Sequence, residues 1–597
     1  MRERLARLLR VIQLVWRSGR VWTLLTVTVL VVQGVLPLAG LYVTKLLVDT
    51  VTAAIALTDP GDSLTRVLAL VGVAAVVALM IAVSRSLASF IATAHGQIVI
   101  DHIHEVMHAK SITVDFAYYE EARYYDTVHR AQREAAHRPL QMVRDLVTVG
   151  RNALSVVGIA GLLIALHWSV ALILLVAAAP AVVVRLWHAN TLHRHQSKWT
   201  PAERRAWYWS WLLMGPVHAK EVRLFGLGSL FQRRSRDVRA RLRAERLGVG
   251  RQLLAAEVVT HAGATAAVFG VMALAAYWTV TGRLTLGEMV MFFQALHIGQ
   301  GLLSEMLVAL AGLHEHSLFL SSLDTFLDLE PRMVEPVAPV PVPHPLRTGI
   351  RVEHVRFRYG PHAPMALDDV TLDIPRGSIV ALVGENGSGK TTLVKLLCRL
   401  YDPADGAITF DGVDLRQFAT ASLRREVAVL FQDYARYDMS ARENIWLGGV
   451  DSPSSDDRIG AAARNAGAHD FVTGLPQGYD TPLGHWLDEK GAELSIGEWQ
   501  KIALARTFFR DAQILVLDEP SSALDPLAEA GVFAAFRQLA RGRTTIVVSH
   551  RLASVKSADY IYVFETGRIA EEGTHPELLT KGGRYARAWT AQSDGYR

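Results

Sequence analysis

IVALVGENGSGKTT, residues 379–392, decides how this chain must be divided. Ile379 to Val383 is a short apolar run of the kind that forms a strand buried on both faces. Leu393-Val394-Lys395-Leu396-Leu397 follows as a helix, so the glycine-rich stretch between them is a strand–loop–helix phosphate cradle, G-x-x-x-x-G-K-[ST]. Gly384, Gly387 and Gly389 allow the backbone N–H groups of Glu385, Asn386, Ser388 and their neighbours to converge on phosphate oxygens. Lys390 is placed to neutralise β- and γ-phosphate charge, and Thr391, followed by Thr392, offers a hydroxyl to a magnesium ion. Gly384 to Thr392 are therefore the expected nucleotide-binding residues, with Thr391 doubling as a metal ligand.

Two stretches downstream fit the same chemistry. Ile514-Leu515-Val516-Leu517-Asp518-Glu519 is an apolar strand ending in two carboxylates. Asp518 suits the water shell of the metal, and Glu519 suits the base that orients an attacking water. LSIGEWQ, residues 494–500, opens a helix with a serine and a glycine, and a helix start of that kind is a second anion site. One chain thus carries two phosphate-binding helix starts.

Taken together, these motifs resemble the nucleotide-binding domain of an ABC transporter, over residues 349–597 with every motif in order. The resemblance implies ATP and Mg²⁺ as ligands. It implies that Tyr359 stacks on adenine, and that Gln432 reaches the metal and borders the contact with the membrane domain. Asp525, in Ser522-Ala523-Leu524-Asp525, would lie in the loop between paired domains, and His550 would sense the γ-phosphate. LSIGEWQ resembles the family signature Leu-Ser-Gly-Gly-Gln, with Ile496 in place of glycine and Glu498 in place of glutamine. Ser495, Gly497 and Glu498 would then meet a γ-phosphate held by the Lys390 loop of a second chain. The expected catalytic set is Glu519, His550, Gln432 and Lys390, and the expected metal set is Thr391, Gln432 and Asp518. A partner half-transporter is implied. Self-pairing is preferred because Glu519 and His550 are both intact, while the altered signature leaves a heterodimer as the alternative.

The first half is different in kind. A helix needs about 20 mainly apolar residues to cross a bilayer, and six stretches qualify: 21–43, 67–92, 145–166, 169–187, 254–280 and 287–312. His167-Trp168 and Thr281–Thr285 are short gaps that predict hairpins. The gaps between the second and third stretches and between the fourth and fifth are long and charged. Eight arginines stand between Arg233 and Arg251, and Arg2, Arg4, Arg7 and Arg10 open the chain. By the positive-inside tendency these faces are cytoplasmic, in a multi-pass protein of the plasma (inner) membrane. The net charge of +5 is therefore read as lipid-headgroup contact and solvated helix faces, with no nucleic acid as partner. The first apolar run is too long for a signal peptide and is expected to be retained.

The resulting fold class is a multidomain membrane protein: an all-α, six-helix transmembrane domain, then an α/β P-loop ATPase domain with a helical subdomain. The expected boundaries are a membrane domain at 1–330, a proline-rich spacer at 331–348 and a nucleotide-binding domain at 349–597. Residues 331–345 hold six prolines, which favour an extended spacer. Fusion of a membrane half ahead of the ATPase half resembles the exporter architecture, with Tyr118–Asp126 and Lys220–Gly226 as the segments resembling coupling helices. The implied activity is ATP-driven export of an amphipathic drug, lipid or peptide; import through the same architecture, or a membrane-bound regulatory ATPase, is the alternative. Glu257, His261 and Glu305 are expected on the transport pathway or, alternatively, near the headgroups. His104-Glu105-Val106-Met107-His108 matches H-E-x-x-H, but Ser111 stands where the longer metalloprotease motif has glycine, and a protease is not expected. His188, His193 and His195 read as a solvated helix end. One cysteine, Cys398, excludes an internal disulfide and a cysteine-based zinc site.

Overall fold

The computed structural model describes residues 12–13, 15–55, 61–121, 138–520, 540 and 542–594. For 61–63, 165–200, 253, 257, 261, 264, 267, 314–315, 317–322, 553–554 and 593–594 it describes the backbone alone. The chain forms two units, Met1–Thr113 with Arg123–Leu329, and Val114–Ala122 with Glu330–Arg597.

The first unit is helical. Its long helices are Arg20–Ile55, Gly61–Thr113, Arg138–Met214, Gly228–Val280 and Leu286–Leu327. At about 1.5 Å per residue each exceeds the roughly 30 Å of a hydrocarbon core, so each extends beyond the bilayer. Among the described residues four segments are apolar and long enough to cross: Arg20–Ile55, Leu64–Thr113, Arg138–Ile164 and Leu286–Leu313. The hairpin expected at His167-Trp168 is not seen, because the backbone is helical without a break from Arg138 to Met214. Neither residue carries the glycine or proline signal that interrupts a helix. The hairpin expected at 281–285 is present, with Gly282 at φ 73° and Thr285 capping the last long helix in a reciprocal box with Glu288.

Small residues set the helix spacing, as they must where lipid supplies no hydrophobic drive between helices. A Cβ on Gly34 would lie 2.5 Å from Leu154, one on Gly150 2.6 Å from Leu30, and one on Gly158 2.3 Å from Leu38. Leucines of each helix thus fill glycine notches in the other. Glu305 accepts from Arg151 Nη2 at 3.0 Å and from Asn152 Nδ2 at 3.2 Å. Its negative charge is locally compensated by the Arg151 guanidinium. Glu257 and His261 have side chains outside the described residues.

The second unit holds two sheets. Strands β1 (Gly349–Phe357), β2 (Leu367–Pro375), β4 (Asp405–Phe410) and β5 (Val413–Asp414) make an antiparallel sheet in the order β2-β1-β4-β5. Strands β3 (Ile379–Gly384), β6 (Val427–Leu430), β7 (Ile514–Asp518), β8 (Thr544–Val548), β9 (Tyr560–Glu565) and β10 (Arg568–Gly573) form the other, ordered β10-β9-β3-β8-β7-β6. From β9 to β6 every pairing is parallel. All five residues of β7 and of β8 are buried, which is why those runs lack alternation. A second core gathers around the Ile496–Phe509 helix, with Trp499, Ile502, Leu504 and Ala505 inside it.

The proline-rich stretch does not hang free. Val340 N–H donates to Gln417 O at 2.9 Å, Leu346 is buried in the core between the sheets, and Gln513 holds it through Pro343 O and Leu346 N–H. Nearby, Arg399 is fully buried and donates to Phe418 O at 2.7 Å, Val334 O at 3.2 Å and Asp402 at 3.2 Å. Arg399→Met would strand those acceptors, at a cost of about 3–5 kcal/mol. The expected result is an unfolding midpoint lowered by roughly 10 °C in tryptophan fluorescence; a shift near zero would contradict this account of the anchor.

Candidate nucleotide-binding site

The parallel sheet delivers its chemistry at one edge, where strands end and helices begin. β3 ends at Gly384, whose φ of 148° excludes an L side chain; a Cβ there would also meet Phe564 O at 2.4 Å. Gly389, φ 107°, caps the Lys390–Leu397 helix, and a Cβ would strike Ala366 O at 2.7 Å. Gly384–Thr392 therefore take the cradle shape that their sequence demands. The Lys390 ammonium donates to Gly384 O and Glu385 O, both at 2.8 Å, and to Ser388 Oγ at 3.2 Å. Burial lowers its pKa, while Glu519 and Asp518 oppose that shift.

β7 carries the two carboxylates to the same edge. Both oxygens of Asp518 are buried without a hydrogen-bond partner. Burial pushes this carboxyl up to about 6; the nearby Thr391 hydroxyl pulls it down, and Glu519 adds repulsion. A buried acid with orphaned oxygens beside a threonine hydroxyl fits the hard, oxygen-only surroundings of a magnesium ion. Glu519 takes φ 52°, strained for a non-glycine residue, and is pinned by its N–H to Val548 O at 2.9 Å. Gln432 Nε2 donates to Glu519 Oε2 at 3.0 Å, and His550 Nδ1 lies 2.9 Å from Oε1. The residues expected to be catalytic, from four separate stretches, are thus in one cluster.

Tyr359 sits on the other side of the cradle with its hydroxyl 3.0 Å from Thr392 Oγ1. Asp525 lies outside the described residues. Ser495 caps the Ile496–Phe509 helix in a reciprocal box: Glu498 N–H donates to Ser495 Oγ at 3.3 Å, while Ser495 N–H and Oγ–H both donate to Glu498 Oε2 at 2.8 Å. Ile496 is 60% exposed and points off the helix start, so its bulk is accommodated.

Three further residues escaped the sequence reading. Gln500 donates to Pro520 O at 2.8 Å and ties the helix led by Ser495 to the end of β7. Arg506 donates to Asn444 O, Asn444 Oδ1 and Ala435 O, holding the same helix to the loop after Gln432. Tyr401 packs edge-on against Tyr359 at 5.5 Å. Each is a common residue in an ordinary helix or loop, and only proximity distinguishes it. The H-E-x-x-H stretch forms no metal cluster: among the described residues no group of three or more histidine, cysteine, aspartate or glutamate side chains could hold an ion.

Comparison with known proteins agrees with this geometry. The family model described as ABC transporter matches residues 367–522. A solved bacterial Atm1-family ABC exporter with ATP bound superposes with a TM-score of 0.77 at 25% identity, over 95% of this chain and 98% of its own. Residues 367–522 thus carry an ABC transporter ATPase domain, and over its whole length the chain is similar to an ABC exporter. Its membrane and ATPase halves are fused as in an exporter, and ATP hydrolysis coupled to transport is the activity of that family. The subtilin transport ATP-binding protein SpaT of Bacillus subtilis is 28% identical over 79% of this transporter and 76% of its own length. The ATP-dependent lipid A-core flippase of Chromohalobacter salexigens is 42% identical, over 41% of each chain. The higher identity is confined to the shorter match.

The transporter's one thiol lies directly behind the cradle helix. Cys398 is buried, and burial pushes its pKa up to about 12. At pH 7.5 it is a protonated, inert thiol. Maleimide should leave the native transporter essentially unlabelled and modify one site after denaturation, as read by mass spectrometry; rapid native labelling would disprove the burial.

Proposed function

We propose that this transporter exports an amphipathic solute by alternating access, driven by two ATP molecules held between two copies of the chain. The carrying observation is the bracketing of Glu519 by Gln432 and His550 beside a buried Lys390 and a metal-suited Asp518. In this reading Glu519 orients the attacking water and accepts its proton, and Lys390 exchanges its loop carbonyls for β- and γ-phosphate oxygens. Thr391, Asp518 and Gln432 would hold Mg²⁺, which when bound shields developing phosphate charge. His550, paired to Glu519, fixes that carboxylate and meets the γ-phosphate. Tyr359 stacks on the base. Asp525 is proposed to lie in the loop facing the partner.

Each chain contributes one lysine cradle and one Ser495-led helix start. Ser495 and Gly497 of one copy complete the phosphate shell held by Lys390 of the other, and phosphate charge closes the pair. Loss of the γ-phosphate removes that attraction and reopens it, an electrostatic switch with a mechanical result. The cargo class is supported by the printed names of the relatives, a subtilin transporter and lipid A-core flippases. We infer a plasma (inner) membrane protein, a reading that the apolar spans support, with 1–330 as the membrane domain, 331–348 as the spacer and 349–597 as the cytoplasmic ATPase domain.

Glu519→Gln removes the base but keeps the shape. Steady-state hydrolysis in lipid should fall at least about a hundredfold with ATP binding retained, whereas Lys390→Ala should weaken binding itself; brisk turnover by the glutamine variant would refute the assignment. ATP-dependent uptake of a fluorescent lipid or amphipathic peptide into inverted vesicles tests direction, and its absence with intact ATPase activity would favour a regulatory role.

Glu498 makes a second prediction. Its carboxylate takes both Ser495 donors that a γ-phosphate would need, and it adds negative charge there. A like charge at that range is worth about 1 kcal/mol, so Glu498→Gln should lower the ATP concentration for half-maximal hydrolysis about fivefold. An unchanged or raised half-maximal concentration would separate Glu498 from the phosphate.

A further inference from the structure

Tyr359, the proposed base platform, is held on more sides than its task alone explains. Phe357 packs edge-on at 5.1 Å and Tyr401 edge-on at 5.5 Å, while the hydroxyl is tied to Thr392 at 3.0 Å. The Lys395 ammonium lies 5.2 Å from the ring centroid. Two of these supports, Tyr401 and Lys395, share one carboxylate. Lys395 Nζ donates to Glu120 Oε1 at 2.6 Å, and the Tyr401 hydroxyl donates to Glu120 Oε2. Phe116, on the four-residue helix Phe116–Tyr119 that Glu120 caps, meets Tyr401 edge-on at 6.1 Å and lies 5.5 Å from the Lys395 ammonium.

Glu120 is remote in sequence from the ATPase motifs. It belongs to the tip of the first long loop, which directly follows the Gly61–Thr113 helix, yet Val114–Ala122 packs as part of the ATPase unit. The tip is fastened there by further contacts: Asp115 Oδ2 accepts from Met333 N–H at 3.1 Å, and Arg332 pairs with Glu121 at 2.6 Å and lies over the Tyr118 ring. A half-buried lysine would lose charge to desolvation, but Glu120 reverses that effect and holds Lys395 in its charged form. The cation in turn presents its charge to the Tyr359 ring.

We propose that Glu120 is a positioning residue for recognition of the nucleotide base. By clamping Lys395 and Tyr401 it fixes the ring of Tyr359 for stacking, so that a loop leaving the second membrane helix senses whether a purine is bound. This rests on the stacking role proposed for Tyr359. Its signature is confined to the base: contacts to the phosphates come from Gly384–Thr392 and do not involve Glu120. Stacking also favours a purine over a pyrimidine, so loosening the platform should erode that preference.

The test uses the full-length transporter in lipid. Glu120→Gln should raise KM for ATP about five- to tenfold with kcat within about twofold. It should shrink the ATP-over-CTP ratio of kcat/KM and leave inhibition by tripolyphosphate, which has no base, unchanged. Tyr401→Phe, which keeps the ring and removes only the hydroxyl, should reproduce part of the KM rise. Combining Glu120→Gln with Lys395→Met should add little to the larger single effect. Equal KM for ATP in Glu120→Gln and the unaltered transporter, or a tripolyphosphate inhibition constant that rises in step with KM, would overturn the proposal. Failure of the wider reading looks different: the unaltered transporter would then not hydrolyse ATP, or Glu519→Gln would remain active.

Discussion

A triphosphate can be held only where one cation and several N–H dipoles converge while carboxylates stand beside them without neutralising them. The parallel sheet meets this constraint by position. β3, β8 and β7 are neighbours, and their carboxyl ends set the Gly384 loop, the Ser549-His550 turn and Asp518-Glu519 along one edge. The sheet interior is apolar, so polar groups appear only where strands end, and there they meet in low dielectric. That setting lowers the Lys390 pKa, raises that of Asp518 and leaves the buried Asp518 oxygens with little beside them but the Thr391 hydroxyl. Strain follows the same edge, with Glu519 held in left-handed backbone geometry by its bond to Val548.

The Ile496–Phe509 helix is the second part of the apparatus, and it is not an independent element. Gln500 fastens it to Pro520, and Arg506 fastens it to the loop after Gln432. Displacement of the Ser495 end would therefore be felt at both the acid pair and the glutamine loop. Its start carries its own carboxylate, Glu498, in a capping box that satisfies the helix N-terminus before any phosphate does. An ordinary stabilising motif and a phosphate site compete for the same donors, and the family's usual glutamine would compete without a charge.

Much of this was legible in the sequence because phosphate chemistry leaves little freedom. The cradle needs glycine where φ is positive and backbone comes close, as Gly384 and Gly389 demonstrate. The strand before it needs an unbroken apolar run because both faces are buried. Elsewhere the reading went astray for identifiable reasons. His167-Trp168 was read as a turn from the shortness of the gap, although neither residue breaks a helix. The prolines at 331–345 suggest a spacer, and composition cannot reveal that Leu346 enters a core or that Gln513 grips Pro343. Glu305 was placed on the pathway or near the headgroups, and nothing in the sequence shows that Arg151 stands beside it.

What the sequence by itself determined was local: the shape of the phosphate loop, the pair of acids at a strand end, the capped helix start and the apolar length of the membrane helices. Each depends on residues within a few positions of one another, where backbone sterics and spacing act directly. The tertiary structure alone decided the company those groups keep. It brought Gln432 and His550 to opposite oxygens of Glu519, and it carried Glu120 from a loop between membrane helices to the lysine and tyrosine behind Tyr359. Such meetings are set by the packing of whole elements, and a carboxylate has no local pattern that announces which distant cation it will find.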